Sequence, residues 1–219
     1  MSAVFPLKLD GLLPIPLRER IEVRRSEIWQ QRLAWNATER VFVQAPSGTG
    51  KTTLIHILYG LRKDFEGAVT WGSTVFFENV DAEQVSSMRK QQVSVIFQDM
   101  RLFPALTARE NLEIKRVLSN TVTTEEVHDM MDTLGIADRA DRPASTLSYG
   151  EQQRVAIIRA LLQPFSWLLM DEPFSHLDAA NTARAAKLID RVVAKNGASF
   201  LLADLDDNDH FSYTQKLRL

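Results

Sequence analysis

Nine consecutive residues, Ala45-Pro46-Ser47-Gly48-Thr49-Gly50-Lys51-Thr52-Thr53, have the types and spacing needed to hold a row of phosphates. Gly48 and Gly50 let the backbone bend so that successive N–H groups face an anion, and a helix starting there adds about half a positive charge. In such a loop Lys51 reaches the β and γ phosphates and the Thr52 hydroxyl ligates magnesium. The glycine that usually opens the pattern is Ala45 here, the smallest possible change, tolerable unless that position needs a positive φ. Farther along, Leu168-Leu169-Met170-Asp171-Glu172 sets two carboxylates at the end of an apolar run. Ligands of open α/β sheets bind at such strand ends. Asp171 is therefore a candidate to hold magnesium, and Glu172 a candidate to position and polarise an attacking water.

These groups need elements to bring them together. Val41, Phe42 and Val43 form a short apolar run suited to a buried parallel strand, and Leu54, Ile57, Leu58 and Leu61 then recur at helical spacing, with Gly60 as the stop. Val93 to Phe97, Trp167 to Met170 and Ala198 to Ala203 read as further strands, and the weak alternation from Tyr213 to Leu219 as a small edge strand. Strands separated by helices predict a mostly parallel sheet. Between Gln98 and Pro164 the pattern is helical. Thr107 with Glu110, Thr123 with Glu126, and Ser148 with Glu151 have capping-box spacing, and Gly135 ends the second of these helices. After Asp178, the residues Ala185, Leu188, Ile189, Val192 and Val193 share one stripe, which Asn196-Gly197 terminates. His56 and His128 read as ordinary helix residues, and Met130 with Met131 as core.

With 219 residues, 45% apolar and 25% charged, the chain can bury a real core. Lysine plus arginine is 26 against 28 acidic residues, a net charge of -2, so no broad basic field exists to hold a nucleic acid. The absence of cysteine removes disulfides, iron–sulfur clusters and thiol nucleophiles. No apolar run approaches the roughly 20 residues that span a bilayer.

One stretch separates this chain from other phosphate-loop proteins. Leu147-Ser148-Tyr149-Gly150-Glu151-Gln152-Gln153-Arg154 closely resembles the signature sequence of ATP-binding cassette (ABC) proteins. Val95-Ile96-Phe97-Gln98-Asp99 resembles that family's Q-loop, and Ser175-His176-Leu177-Asp178 its D-loop. The five matches stand in the family's order between residues 45 and 178. The resemblance implies a P-loop (RecA-like) core with a mostly parallel sheet, a β-rich N-terminal part and a helical subdomain. A single domain then fills residues 1–219, the core taking about 1–97 and 165–219 and the helical part about 98–164. It also implies ATP and Mg2+ as cofactors, hydrolysis of ATP, and head-to-tail pairing with a second copy. In that pairing Ser148 and Gly150 close on the γ-phosphate held by the other copy's loop. Gln98 contacts magnesium or the water and relays nucleotide state, and Asp178 crosses the interface. The expected partner is a separately encoded transmembrane permease subunit, with the chain cytoplasmic and peripheral on the inner face of the cell membrane. The compact cassette most resembles exporters of the lipoprotein-release, macrolide-export and cell-division type.

The chain departs from the family pattern in several places. Tyr149 stands at a usual glycine, Glu151 at a usual glutamine and His176 at a usual alanine. The switch histidine expected after the last long strand aligns with Asp204. A carboxylate about 4 Å from a phosphate charge, at an effective dielectric near 20, is repelled by roughly 4 kcal/mol. Asp204 must then be protonated, turn away, or lie out of register; His210 substitutes only if its loop folds back. Asp206, Asp207 and Asp209 mimic a calcium loop, but Asp209 sits where such a loop needs glycine and Gln215 where it needs glutamate. Leu12 to Arg25 lacks the aromatic on which the family stacks adenine, and Trp29 and Trp35 read as core. These departures leave an alternative, a nucleotide-gated binding module with little hydrolysis.

Overall fold

The computed structural model describes residues 5–21, 25–76, 81–207 and 209–219. Along Leu7-Lys8-Leu9 the leucines are buried and the lysine is exposed, the alternation that makes β1 (Leu7–Pro14) a half-buried strand. It pairs antiparallel with β2 (Arg32–Trp35) and β4 (Phe65–Trp71), and β4 pairs with β5 (Thr74–Phe76). The expected β-rich N-terminal part is this sheet, in the order β2-β1-β4-β5. A short helix, α1 (Arg18–Ile21), follows β1.

The second sheet is wholly parallel, ordered β6-β7-β8-β3-β9. Its strands are β3 (Arg40–Gln44), β6 (Val93–Ile96), β7 (Trp167–Asp171), β8 (Ser199–Asp204) and β9 (Gln215–Arg218). Every strand expected from the apolar runs is present, including the short edge strand β9. The runs are continuous because both faces are covered. Val41, Val43, Leu169, Leu201 and Ala203 pack on one side with α2 (Lys51–Leu58), α3 (Ala82–Gln91) and the antiparallel sheet. Phe42, Leu168, Met170, Phe200 and Leu202 face the other side, with α6 (Tyr149–Leu161) and α7 (Ala179–Asn196). The two sheets are joined by tryptophans. Trp167 is fully buried, meets Trp71 edge to face at 5.7 Å and Trp35 at 6.4 Å, and donates its Nε1–H to the Phe5 carbonyl at 2.8 Å.

Helices α4 (Ala108–Ser119), α5 (Thr124–Thr133) and α6 each begin with the capping box that the sequence spells. Gly135 and Gly197 take the left-handed backbone that ends α5 and α7. Leu61 is a correction: α2 stops at Leu58, Gly60 turns the chain at a φ of 73°, and Leu61 lies partly exposed beyond the helix. Met130 and Met131 are core, and the apolar residues of α4 to α6 are continuous with the Phe42 and Leu168 side of the sheet. The helical insert therefore shares its core with the strands that carry the chemistry.

Candidate active site

Because β3 and β7 both run parallel to β8, which lies between them, the loop after β3 and the acids at the end of β7 open at the same C-terminal end of the sheet. Gly50 caps α2 with a φ of 108°, and a Cβ there would lie 2.7 Å from Leu17 Cδ1 and 3.0 Å from Trp29 Cζ2. The left-handed backbone is what requires glycine, and the Trp29 ring adds a tight contact that a side chain would have to push aside. Trp29 is core, as expected, but it also props the loop, donating its Nε1–H to the Thr49 carbonyl at 3.2 Å. Ala45 is not in a left-handed conformation, so the missing first glycine costs the loop nothing. Ser47, Gly48, Gly50, Lys51, Thr52 and Thr53 line an opening of about 320 Å³, with Leu17, Gln98 and Glu172 completing its wall.

Lys51 is buried, donates to the Ala45 carbonyl at 2.8 Å and pairs with Glu172 Oε1 at 3.2 Å. Gln98 Nε2 donates to the other oxygen of Glu172 at 3.0 Å. Glu172 itself has a φ of 45°, a left-handed backbone that strains a non-glycine residue. What holds it there was not legible as function: Gln153, fully buried on α6. Its Nε2 donates to the Glu172 carbonyl at 3.2 Å and its Oε1 accepts from the His176 N–H at 2.8 Å. Gln153→Leu keeps the bulk but leaves the His176 N–H unpaired, at about 1–3 kcal/mol for a buried orphan, while the Glu172 carbonyl keeps only the Ser175 N–H at 3.3 Å. Urea unfolding should show a loss on the order of 2 kcal/mol, with turnover falling at unchanged KM; unchanged unfolding and turnover would mean the clamp is idle.

Asp171 is buried beside the Thr52 hydroxyl, and its Oδ1 has no hydrogen-bond partner. An orphaned carboxylate oxygen next to a hydroxyl fits a hard divalent cation, which takes few protein ligands and completes its shell with phosphates and water. Among the described residues no group of three or more acidic, histidine or cysteine side chains is placed to hold a metal ion. Burial raises the Asp171 pKa from 3.8 to about 6, opposed by Thr52 and reinforced by Glu172. A folded-state value above the unfolded one favours folding at low pH, and the benefit is lost as pH rises through about 6. Asp171→Asn should therefore stabilise the nucleotide-free chain at pH 8, by up to about 3 kcal/mol for a shift of about two units, with the gain vanishing near pH 4. Thermal melts across that range test it, and a gain that is flat with pH would refute it.

Other residues of the sequence pattern lie apart from the loop. Ser148 and Asp178 cap α6 and α7, accepting from the N–H groups of Glu151 and Asn181. Glu151 also receives Arg139 Nε at 3.0 Å, so its carboxylate is engaged in the cap. A Cβ at Gly150 would meet the His176 carbonyl at 2.8 Å, so the start of α6 packs directly on the Ser175 to Asp178 turn. Tyr149 stands exposed, tilted against the His176 ring at 5.4 Å. Asp204 turns away: it shares the face of Phe200 and Leu202, opposite α2, accepts from the Leu205 N–H at 2.8 Å and helps raise the pKa of Tyr213, which burial raises first. His210 packs edge-on against Phe174, two residues past Glu172, at 5.6 Å.

A parallel sheet that sets a glycine-rich loop, its lysine and two strand-end carboxylates around one opening defines a P-loop nucleotide-binding protein. The chain belongs to the ABC transporter family, whose sequence model matches residues 30–175. It is 33% identical to the lipoprotein-releasing system ATP-binding protein LolD of Legionella pneumophila (strain Lens) over 177 residues, 80% of this chain and 78% of that protein. It is 34% identical to the thiamine import ATP-binding protein ThiQ of Cereibacter sphaeroides over 176 residues, 79% of this chain and 73% of the relative. The fold matches the dimeric structure of MJ0796, a bacterial ABC transporter cassette, with a TM-score of 0.77 and 26% identity, covering 91% of this chain and 88% of that one. A dimeric post-hydrolysis state of the same cassette, bound to ADP and Pi, matches at 0.74. Relatives named for release and for import match alike, so the resemblance lies in the motor they share.

Proposed function

We propose that this cassette binds and hydrolyses MgATP and drives a separate membrane subunit by closing on a second copy of itself. The observation that carries the reading is the junction of Lys51, Gln98 and Glu172 at the mouth of the phosphate loop. The loop's backbone N–H groups and Lys51 receive the β and γ phosphates. Thr52, Asp171 and the side-chain amide oxygen of Gln98 would hold Mg2+, which when bound would neutralise charge on the phosphates. Glu172 orients the attacking water and accepts its proton, and Gln98 steadies the carboxylate while it does so. Ser148 and Gly150, which do not line the opening at the loop of their own chain, serve the loop of the other copy, and Asp178 lies at the interface between them. Asp204 adds no charge to the phosphate face, which favours hydrolysis over the gated module with little turnover.

Among the described residues no helix is long and apolar enough to cross a membrane, so the membrane-spanning part belongs to the partner in this reading. The test is ATP turnover by the purified chain with and without Mg2+, followed together with its mass in solution. Mg-dependent release of phosphate with a transient ATP-bound dimer is expected. ATP binding without turnover, even beside its membrane subunit, would leave the gated module.

A further inference from the structure

Met100 and Arg101 hold a backbone that side chains avoid, with φ of 57° and 51°, two left-handed residues in a row just beyond Asp99. Such a pair persists only where its surroundings fix it. From α6, Arg159 donates to the Met100 carbonyl at 2.6 Å and to the Arg101 carbonyl at 2.7 Å. From α2, His56 meets the Arg101 side chain, Nε2 to Nη2 at 3.2 Å. A guanidinium only donates, so in this contact Nε2 accepts and the imidazole is neutral. Burial first, then Arg101, hold the His56 pKa below its ordinary 6.5, which keeps the ring an acceptor at neutral pH. Arg101 also lies over the Phe97 ring at 3.9 Å and donates through Nε to Asp99 at 3.1 Å, while the His56 ring stands edge-on to Phe97 at 5.9 Å. Phe97 and Asp99 are the two neighbours of Gln98 in sequence. Gln98 itself lies past Ile96, where the pairing of β6 with β7 ends, so the sheet does not hold it.

We propose that His56 is a positioning residue for hydrolysis: it anchors Arg101 and, through Phe97 and Asp99, fixes the aim of Gln98 at Glu172. The inference rests on the hydrolysis reading above and gives a task to a histidine that reads as an ordinary helix residue. His56 shares α2 with Lys51 and Thr52, so the anchor ties Gln98 to the helix that holds the phosphates. What the anchor needs is an acceptor where Nε2 stands, a requirement of chemistry and not of bulk.

The experiment compares the full chain with His56→Gln, which offers an amide oxygen in place of Nε2, and His56→Leu, which offers none. MgATP turnover is one readout, and hydrogen–deuterium exchange over residues 97–101 of the nucleotide-free protein is the other. His56→Leu should lower kcat about tenfold with KM nearly unchanged, as expected of a misaimed group. It should also speed exchange over 97–101 about tenfold while exchange in β3 and β7 stays as it was. His56→Gln should bring both readouts back to within about threefold of the natural chain. Arg101 is exposed, so Arg101→Met spares the core; it should repeat the losses of His56→Leu, and the double variant should add nothing further. Unchanged kcat and exchange in His56→Leu would overturn the inference. Equal losses in the leucine and glutamine variants would assign the effect to the ring's shape and overturn it as well, as would a rise in KM alone. A natural chain without turnover would overturn the hydrolysis reading, and exchange over 97–101 would then decide for or against the anchor by itself.

Discussion

Glu172→Gln should lower ATP turnover by about two to four orders of magnitude, the range lost with a positioned general base, while nucleotide stays bound. The amide keeps the size of the side chain and can still meet Gln98, but it cannot take a proton from water. It also removes the anion that pairs with Lys51 at 3.2 Å in the nucleotide-free chain. Phosphate then no longer competes with a carboxylate for the lysine, so ATP should bind several-fold tighter. A dimer that accumulates with ATP and does not decay is the accompanying sign. Turnover within threefold of the natural chain would remove Glu172 from the chemistry.

Trp167→Ala should cost about 3–5 kcal/mol, the range for truncating a buried aromatic, out of a total that for a domain is only about 5–15 kcal/mol. Trp167 begins β7, is fully buried, and contacts Trp71 and Trp35 of the antiparallel sheet. Its loss empties the joint between the two sheets and leaves the Phe5 carbonyl without its donor. Because the same strand ends in Asp171, turnover should fall along with stability. Urea unfolding at neutral pH measures the first, and a cost below about 1 kcal/mol would show that the sheets are held elsewhere.

Local physics explains what the sequence reveals in advance. The capping boxes at Thr107, Thr123 and Ser148 are complete within four residues, and all three form. The buried strands β3, β6, β7 and β8 announce themselves because a two-sided sheet admits apolar residues at every position. The antiparallel sheet is less legible, because β1 draws its partners from β2 and from the more distant β4, where Leu7 meets Trp71 and Pro14 meets Phe65. Helix α3, mostly polar and capped by Asp81, has too little apolar pattern to be found. Gln153 looks like surface in a polar stretch; only the fold brings the Glu172 turn over it. Asp204 shows the reverse limit, since its alignment marks the position but strand alternation decides the direction of its side chain.

The pairing of Lys51 with Glu172 has a consequence for the resting protein. A buried ammonium with no anion nearby is among the more expensive things a fold can contain. Here Glu172 supplies the anion that neutralises the lysine. In the proposed reaction a phosphate at Lys51 would take over that pairing and leave the Glu172 carboxylate to the water.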